Sequence, residues 1–157
     1  MKILGGTDGS DYSKGAIDIL ANIVAETENT HLKIISAIER PTPMAIETFA
    51  VSAEYYNEME EMGRKKARDC VKKAETQSRS LFPNAALDLT TEVITGGPKR
   101  VVVEEAQQWG ADLIVVGSHG YGFWSRLMLG SVSNAVVHHA PCSVLVVRTA
   151  KDAAEPD

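Results

Sequence analysis

Leu113 to Ser131 reads LIVVGSHGYGFWSRLMLGS. Leu113 to Val116 are aliphatic at every position, as suits a strand covered on both faces of a sheet. The sixteen residues from Val116 to Ser131 then contain four glycines, and glycine lets a backbone come close to something other than its own side chains. Ser131 to His139 follows as a short helix stopped by Pro141, and Ser143 to Val147 is again almost wholly apolar. Strand, glycine loop, helix and strand make one unit of a parallel α/β fold.

The same alternation extends toward the amino terminus. Lys2 to Thr7 is a short strand broken at Asp8-Gly9-Ser10, and from about Tyr12 to Ala25 the apolar residues Ile17, Leu20, Ala21 and Val24 recur at helical spacing. Leu32 to Ile38 is the second strand. Pro41 to Val51, with two prolines and no clear period, reads as a loop overhanging the first two strands. Tyr56, Met59, Gly63, Ala67, Cys70, Val71, Ala74 and Leu81 share one face of a long charged helix and are assigned to the core. Leu87, Leu89, Thr91 and Val93 alternate, which predicts a strand at the sheet's edge. Gly96-Gly97-Pro98 turns the chain, with Pro98 at the first position of a helix that carries Val102, Ala106 and Trp109 and ends at Gly110. Five strands alternating with four helices predict a five-stranded parallel sheet with helices on both faces and right-handed crossovers. Residues 1–149 make one domain and 150–157 a frayed tail.

Composition narrows the function. The chain has 157 residues and a formal net charge of -5, which disfavours gripping nucleic acid or an anionic membrane. No apolar run approaches the ~20 residues of a membrane span, and MKILGGTDGS meets glycine too early for a secretory signal. The expectation is a soluble, cytoplasmic protein. Cys70 and Cys142 have no CxxC spacing and read as buried structural thiols.

In an open parallel sheet, ligands sit beyond the carboxyl ends of the strands where strand order reverses. The first and fourth strands are the usual neighbours there, and they end in Thr7-Asp8-Gly9-Ser10 and Gly117-Ser118-His119-Gly120. A helix opening at Gly130-Ser131 adds the partial positive charge of its amino end, so the ligand expected carries phosphate. Neither G-x-G-x-x-G nor the P-loop pattern occurs.

The spacing G-x2-G-x9-G-S at Gly117, Gly120, Gly130 and Ser131, with ILGGTDGS at the start, Ser133, and Pro141 to Val147, resembles the nucleotide-binding kind of universal stress protein. The resemblance covers essentially the whole chain. It implies an ATP-binding domain with sheet order 3-2-1-4-5 and a homodimer joined through Val144 to Val147; the chain offers no metal-ligand set of its own, so a magnesium ion is expected to arrive with the nucleotide. Carried over by position, Thr7 and Asp8 lie at the end of strand one, with Asp8 near the ribose or the metal. Ala37 offers backbone groups to adenine, and Gly117, Gly120, Gly130, Ser131, Val132 and Ser133 hold ribose and phosphates. The chain departs from the family at Gly6, often proline or alanine there, and at Gly96-Gly97-Pro98, where Gly-Asp-Pro is usual.

Simpler roles stand beside these. Asp8 also suits a turn cap, Ser10 suits the cap of the first helix, and Ser131 suits cap and phosphate contact together. Gly5 and Gly6 suit close packing of helices on a central strand. The apolar loop from Tyr121 to Leu129, with Phe123, Trp124 and Met128, fits packing or partner contact better than ligand stacking. His119 suits a contact to phosphate or water rather than a base, and His138-His139 diverge on their helix, against a metal pair. No lysine lies in the glycine loop and Arg126 is its one candidate cation, so binding with slow or no hydrolysis is expected. The protein then acts as a nucleotide-responsive stress module on an unidentified protein partner. A weak or self-phosphorylating ATPase and a nucleotide-free dimeric interaction protein remain open alternatives.

Overall fold

Alternating strands and helices fix the layout of the chain in the computed structural model, which describes residues 1–25, 29–40, 52–81, 88–120 and 129–149. The expectations for loop 41–51, Leu87, loop residues 121–128 with Arg126, and tail 150–157 lie outside the described residues. In chain order the elements are β1 (Lys2–Gly6), α1 (Asp11–Ala25), β2 (His31–Ile38), α2 (Ala53–Leu81), β3 (Asp88–Thr95), α3 (Pro98–Trp109), β4 (Leu113–Gly117), α4 (Ser131–His139) and β5 (Ser143–Val147). The strands form one sheet in the order β3-β2-β1-β4-β5, every pair parallel.

The side-chain alternation of each strand divides the core in two. Ile3, Leu32, Ile34, Val115 and Val147 point to the layer holding Ala16, Ile17 and Leu20 of α1 and Ala74 of α2. Their neighbours Leu4, Ile35, Ile114 and Val116 point to the opposite layer, with Val101, Val102 and Ala106 of α3 and Val136 of α4. Burial on both faces is why the central strands read as unbroken apolar runs.

The punctuation holds where the sequence is explicit. Pro98 opens α3 after its cap residue Gly97, and Gly110, at φ 70° and ψ 51°, closes it with an N–H donated to the Ala106 carbonyl. Lys33 of β2 joins α3 and β3, its ammonium 2.6 Å from Glu105 and 2.8 Å from Glu92. Burial works against the charge there, but the two carboxylates outweigh it and hold the lysine above its ordinary pKa.

Two expectations need correction. Along α2, Ala67, Cys70, Val71 and Ala74 are buried, but Met59 is 44% and Leu81 43% exposed. A helix of 29 residues runs ~43 Å, whereas the eight-residue strands beneath it run ~26 Å; the ends of the stripe have no sheet to cover. In β5, Val144, Leu145 and Val146 are half-buried, in keeping with the expected strand order, which makes β5 the second edge. The second correction is Cys142, expected to be buried but only half-buried because it immediately precedes the edge strand β5, whereas Cys70 is buried as expected; burial raises both thiols above their ordinary pKa.

Candidate functional site

The site begins where β1 and β2 part. Thr7 donates the last ladder bond, its N–H to the Ile35 carbonyl at 2.9 Å, and β1 then turns away while β2 runs on to Ile38. Successive strand residues address opposite neighbours, so Ala37, like Ile35, turns its N–H and C=O toward the side that β1 has vacated. Ile38 addresses the other side, accepting the Gly96 N–H at 2.8 Å.

The turn after β1 satisfies itself. Asp8 Oδ1 accepts the Ser10 N–H at 2.9 Å and Thr7 Oγ1 accepts the Gly9 N–H at 3.2 Å, with Gly9 in the left-handed region at φ 82°. Ser10 Oγ accepts the Ser13 N–H at 3.3 Å, so Ser10 caps α1 as its position suggests. From α2, the Cys70 thiol donates to the Asp8 carbonyl at 3.2 Å, and its raised pKa, due first to burial, keeps the proton that makes this bond.

The opposite wall comes from β4 and α4. Ser118, fully buried, donates its N–H to the Val147 carbonyl at 2.8 Å. Its own carbonyl accepts both the Gly130 N–H and the Ser133 hydroxyl, each at 2.8 Å. The long loop therefore returns to its starting point, as the glycine spacing predicts. The residue before α4 is Gly130, with no side-chain cap, and Ser131 is the first helical residue rather than the cap. The reason is space: a Cβ on residue 130 would lie 3.0 Å from the Ser118 oxygen and 3.1 Å from His119 Cα. The first bond inside α4 runs from the Asn134 N–H to the Gly130 carbonyl at 2.9 Å. The N–H groups of Ser131, Val132 and Ser133 precede it and stand at the positive end of the helix.

The other two motif glycines serve different neighbours. A Cβ on Gly117 would lie 2.7 Å from the Tyr12 backbone carbon and 2.8 Å from Tyr12 Cβ, so this glycine seats α1 against β4. A Cβ on Gly120 would lie 2.7 Å from Asp8 Oδ2, so its absence makes room for the carboxylate.

Between the walls lies a cavity of about 350 Å³, within the range of ~300 to 1,000 Å³ common for small-molecule sites. The structure brings Thr7, Asp8, Ala37, Gly117, Gly120, Gly130, Ser131, Val132 and Ser133 to its lining, together with Gly6 and His119. Ser13, Ile35, Pro98, Val102 and Val116 also line it and were not singled out in the sequence. The apolar spacing of Ile35, Val102 and Val116 reads as core, and the early end of β1 opens them to the cavity. His119 is 8% exposed; its Nδ1 lies 3.1 Å from Ser118 Oγ and its ring centroid 5.2 Å from that of Tyr12. Among the described residues no group of three His, Cys, Asp or Glu side chains is placed to hold a metal ion, and no helix is long and apolar enough to cross a membrane.

Known proteins resemble this chain in sequence and fold. A 59-residue stretch is 52% identical to universal stress protein A homolog 2 of Coxiella burnetii, covering 36% of this chain and 39% of that one. A putative universal stress protein of Staphylococcus haemolyticus is 32% identical over 149 residues, 94% of this chain and 84% of that one. Among solved structures, a universal stress protein in complex with cAMP superposes with a TM-score of 0.68 at 26% identity, over 94% of this chain and 96% of that one. The model of the universal stress protein family matches residues 1–148, nearly the full length, and the chain belongs to that family.

Proposed function

We propose that this protein binds ATP with magnesium in the cavity between β1, β2 and α4, and acts as a nucleotide-responsive stress module with slow or no hydrolysis. The observation that carries the reading is one cavity with two unlike backbone surfaces. The amino end of α4 offers three N–H groups outside the helix's own bonding, at its positive pole, and such ends suit phosphate. The β2 edge at Ala37 offers a neighbouring donor and acceptor, a pattern suited to the edge of a base, with Ile35, Pro98, Val102 and Val116 as apolar lining nearby. Asp8, whose Oδ2 lies over Gly120, stands where ribose hydroxyls or a nucleotide-bound magnesium ion would meet it. The cAMP complex of a related protein supports an adenine nucleotide over other phosphates.

Turnover asks for more than a cradle. Phosphoryl transfer needs a held metal, a positioned nucleophile and compensating cations, and among the described lining residues there is no lysine or arginine. The Ser133 hydroxyl already donates to carbonyls of Ser118 and Gly130, which disfavours it as a phosphate acceptor. Phosphate release that vanishes in Asp8→Ala would instead favour a weak ATPase.

A homodimer through β5 belongs to the same reading. Its support is the half-buried row Val144, Leu145 and Val146 on an edge strand, a surface that soluble proteins normally cover. The test of the whole is calorimetry of nucleotide-stripped protein against ATP with magnesium, then AMP and cAMP. Micromolar binding of ATP is expected; absence of heat with every adenine nucleotide at millimolar concentration, in folded protein, would overturn the reading.

A further inference from the structure

The outward face of α2 carries charge in an order that none of its contacts within the chain requires. Glu54, Glu58, Glu61, Lys65, Arg68 and Lys72 are all exposed and follow one another at intervals of 4, 3, 4, 3 and 4 residues. That spacing is a single seam along a helix. Its first three members are acidic and its last three basic. The seam is symmetric about residue 63, pairing 54 with 72, 58 with 68, and 61 with 65.

We propose that this face is a docking surface for α2 of a second copy of the chain, the two helices lying antiparallel about a two-fold axis near residue 63. In that arrangement every seam glutamate meets a lysine or arginine of the other copy: Glu54 meets Lys72, Glu58 meets Arg68, and Glu61 meets Lys65, each pairing occurring twice. A parallel arrangement would set like charges against each other, so the charge order selects the direction. Among the described residues the seam's one ion pair within the chain is Glu61 to Arg68 at 3.9 Å, with side chains 75% and 63% exposed, a pair that costs little to exchange.

Beside the middle of the seam lies one exposed apolar side chain. Met62 is 71% exposed, the most exposed large hydrophobic side chain among the described residues, and it borders a shallow depression with Glu61, Lys65, Arg68 and Asp69. A two-fold axis perpendicular to both helices keeps residues on the same flank, so Met62 of each copy comes beside Met62 of the other. This surface lies on the layer of α1 and α2, apart from β5 at the sheet edge. Two separate two-fold surfaces on one chain build a tetramer or an open array rather than a simple dimer.

The test is a charge swap read by cross-linking. Full-length Met62→Cys protein is treated with a short bis-maleimide at low ionic strength, with Thr76→Cys on the same helix as the off-centre control. Met62→Cys should cross-link at least ~10-fold faster than the control and slow as salt screens the pairs. Adding Glu58→Lys with Glu61→Lys, or Lys65→Glu with Arg68→Glu, should each abolish the excess, and mixing the two reversed chains should restore it as heterodimer. Circular dichroism checks that these surface variants keep their helices. Equal rates for Met62→Cys and Thr76→Cys, or excess cross-linking that survives either reversal or fails to return on mixing, would overturn the proposal.

Discussion

The two loops that face each other across the cavity are built on opposite plans. After β1, side chains close the turn: Asp8 takes the Ser10 N–H, Thr7 takes the Gly9 N–H, and Ser10 takes the Ser13 N–H. Before α4, no side chain caps the helix, and the Ser133 hydroxyl points back to the carbonyls of Ser118 and Gly130. One loop consumes its own donors; the other keeps three for something outside the chain. The first is closed by its own bonds, and the second is where the proposed nucleotide's phosphates would gain most. A serine at position 130 would have capped α4 in the usual way and taken one of these donors, but the closure onto Ser118 crowds a side chain there.

The sharpest way to break this comparison is to separate a glycine that holds the fold from one that serves the cavity. Gly117→Val drives a side chain into the backbone of Tyr12, where a Cβ alone would sit at 2.7 Å. A backbone neighbour cannot rotate away, so the cost should reach about 3 kcal/mol, a large share of the ~5 to 15 kcal/mol that stabilises a domain. Urea denaturation should show a much lower midpoint, with nucleotide binding lost alongside. A midpoint like that of the wild type would mean that α1 sits away from β4.

Gly130→Val attacks the other wall. Its neighbours are backbone atoms too, the Ser118 oxygen and His119 Cα, but at 3.0 and 3.1 Å they crowd a Cβ less than Tyr12 does at Gly117, so a smaller loss of about 2 kcal/mol in stability is expected. Affinity for ATP should fall at least ~100-fold, since a displaced α4 terminus misdirects charge-assisted bonds to phosphate. Calorimetry beside a thermal melt checks both. Unchanged affinity would remove α4 from the binding site.

Much of this contrast was legible in the residues. Pro98 and Gly110 bracket α3 because a fixed φ and a left-handed residue have few other uses in sequence. Ser10, three residues before Ser13, marks the start of α1 for the same kind of local reason. The motif spacing of Gly117, Gly120 and Gly130 located the mouth of the cavity, but it did not distinguish what each glycine accommodates. Tyr12, Asp8 and Ser118 are the respective neighbours, and those contacts depend on how α1 and the β1 turn cross β4. Ile35, Val102 and Val116 were hidden for a related reason: a core residue and a cavity residue have the same apolar spacing until one strand stops short of its neighbour. The exposed ends of α2 were hidden by length, since a heptad pattern does not announce how far the sheet beneath it extends.

Asp8 sharpens the comparison from the rigid side, because it belongs to the turn and also faces the cavity. Asp8→Ala removes the acceptor of the Ser10 N–H and should cost about 1 kcal/mol in stability, with ATP affinity reduced ~10-fold if the carboxylate meets ribose or magnesium. Asp8→Asn keeps an oxygen for the turn while removing the charge. It should recover most of the stability and little of the affinity. Full recovery of affinity by asparagine would assign Asp8 to the turn alone.

The smallest effect expected lies in Ser10, which caps α1 at the far side of the same turn. Ser10→Ala removes the oxygen that accepts the Ser13 N–H and should lower stability by about 1 kcal/mol. Ser10 is buried at 5% exposure and does not line the cavity, so ATP affinity should stay within about twofold, well under the 1.4 kcal/mol of a tenfold change. Thermal melting and calorimetry on the same sample separate the two quantities. A loss of affinity as large as that of Asp8→Ala would mean that the turn is not a rigid wall. Its local bonds would then be coupled to the ligand, and the division of labour between the two loops would fail.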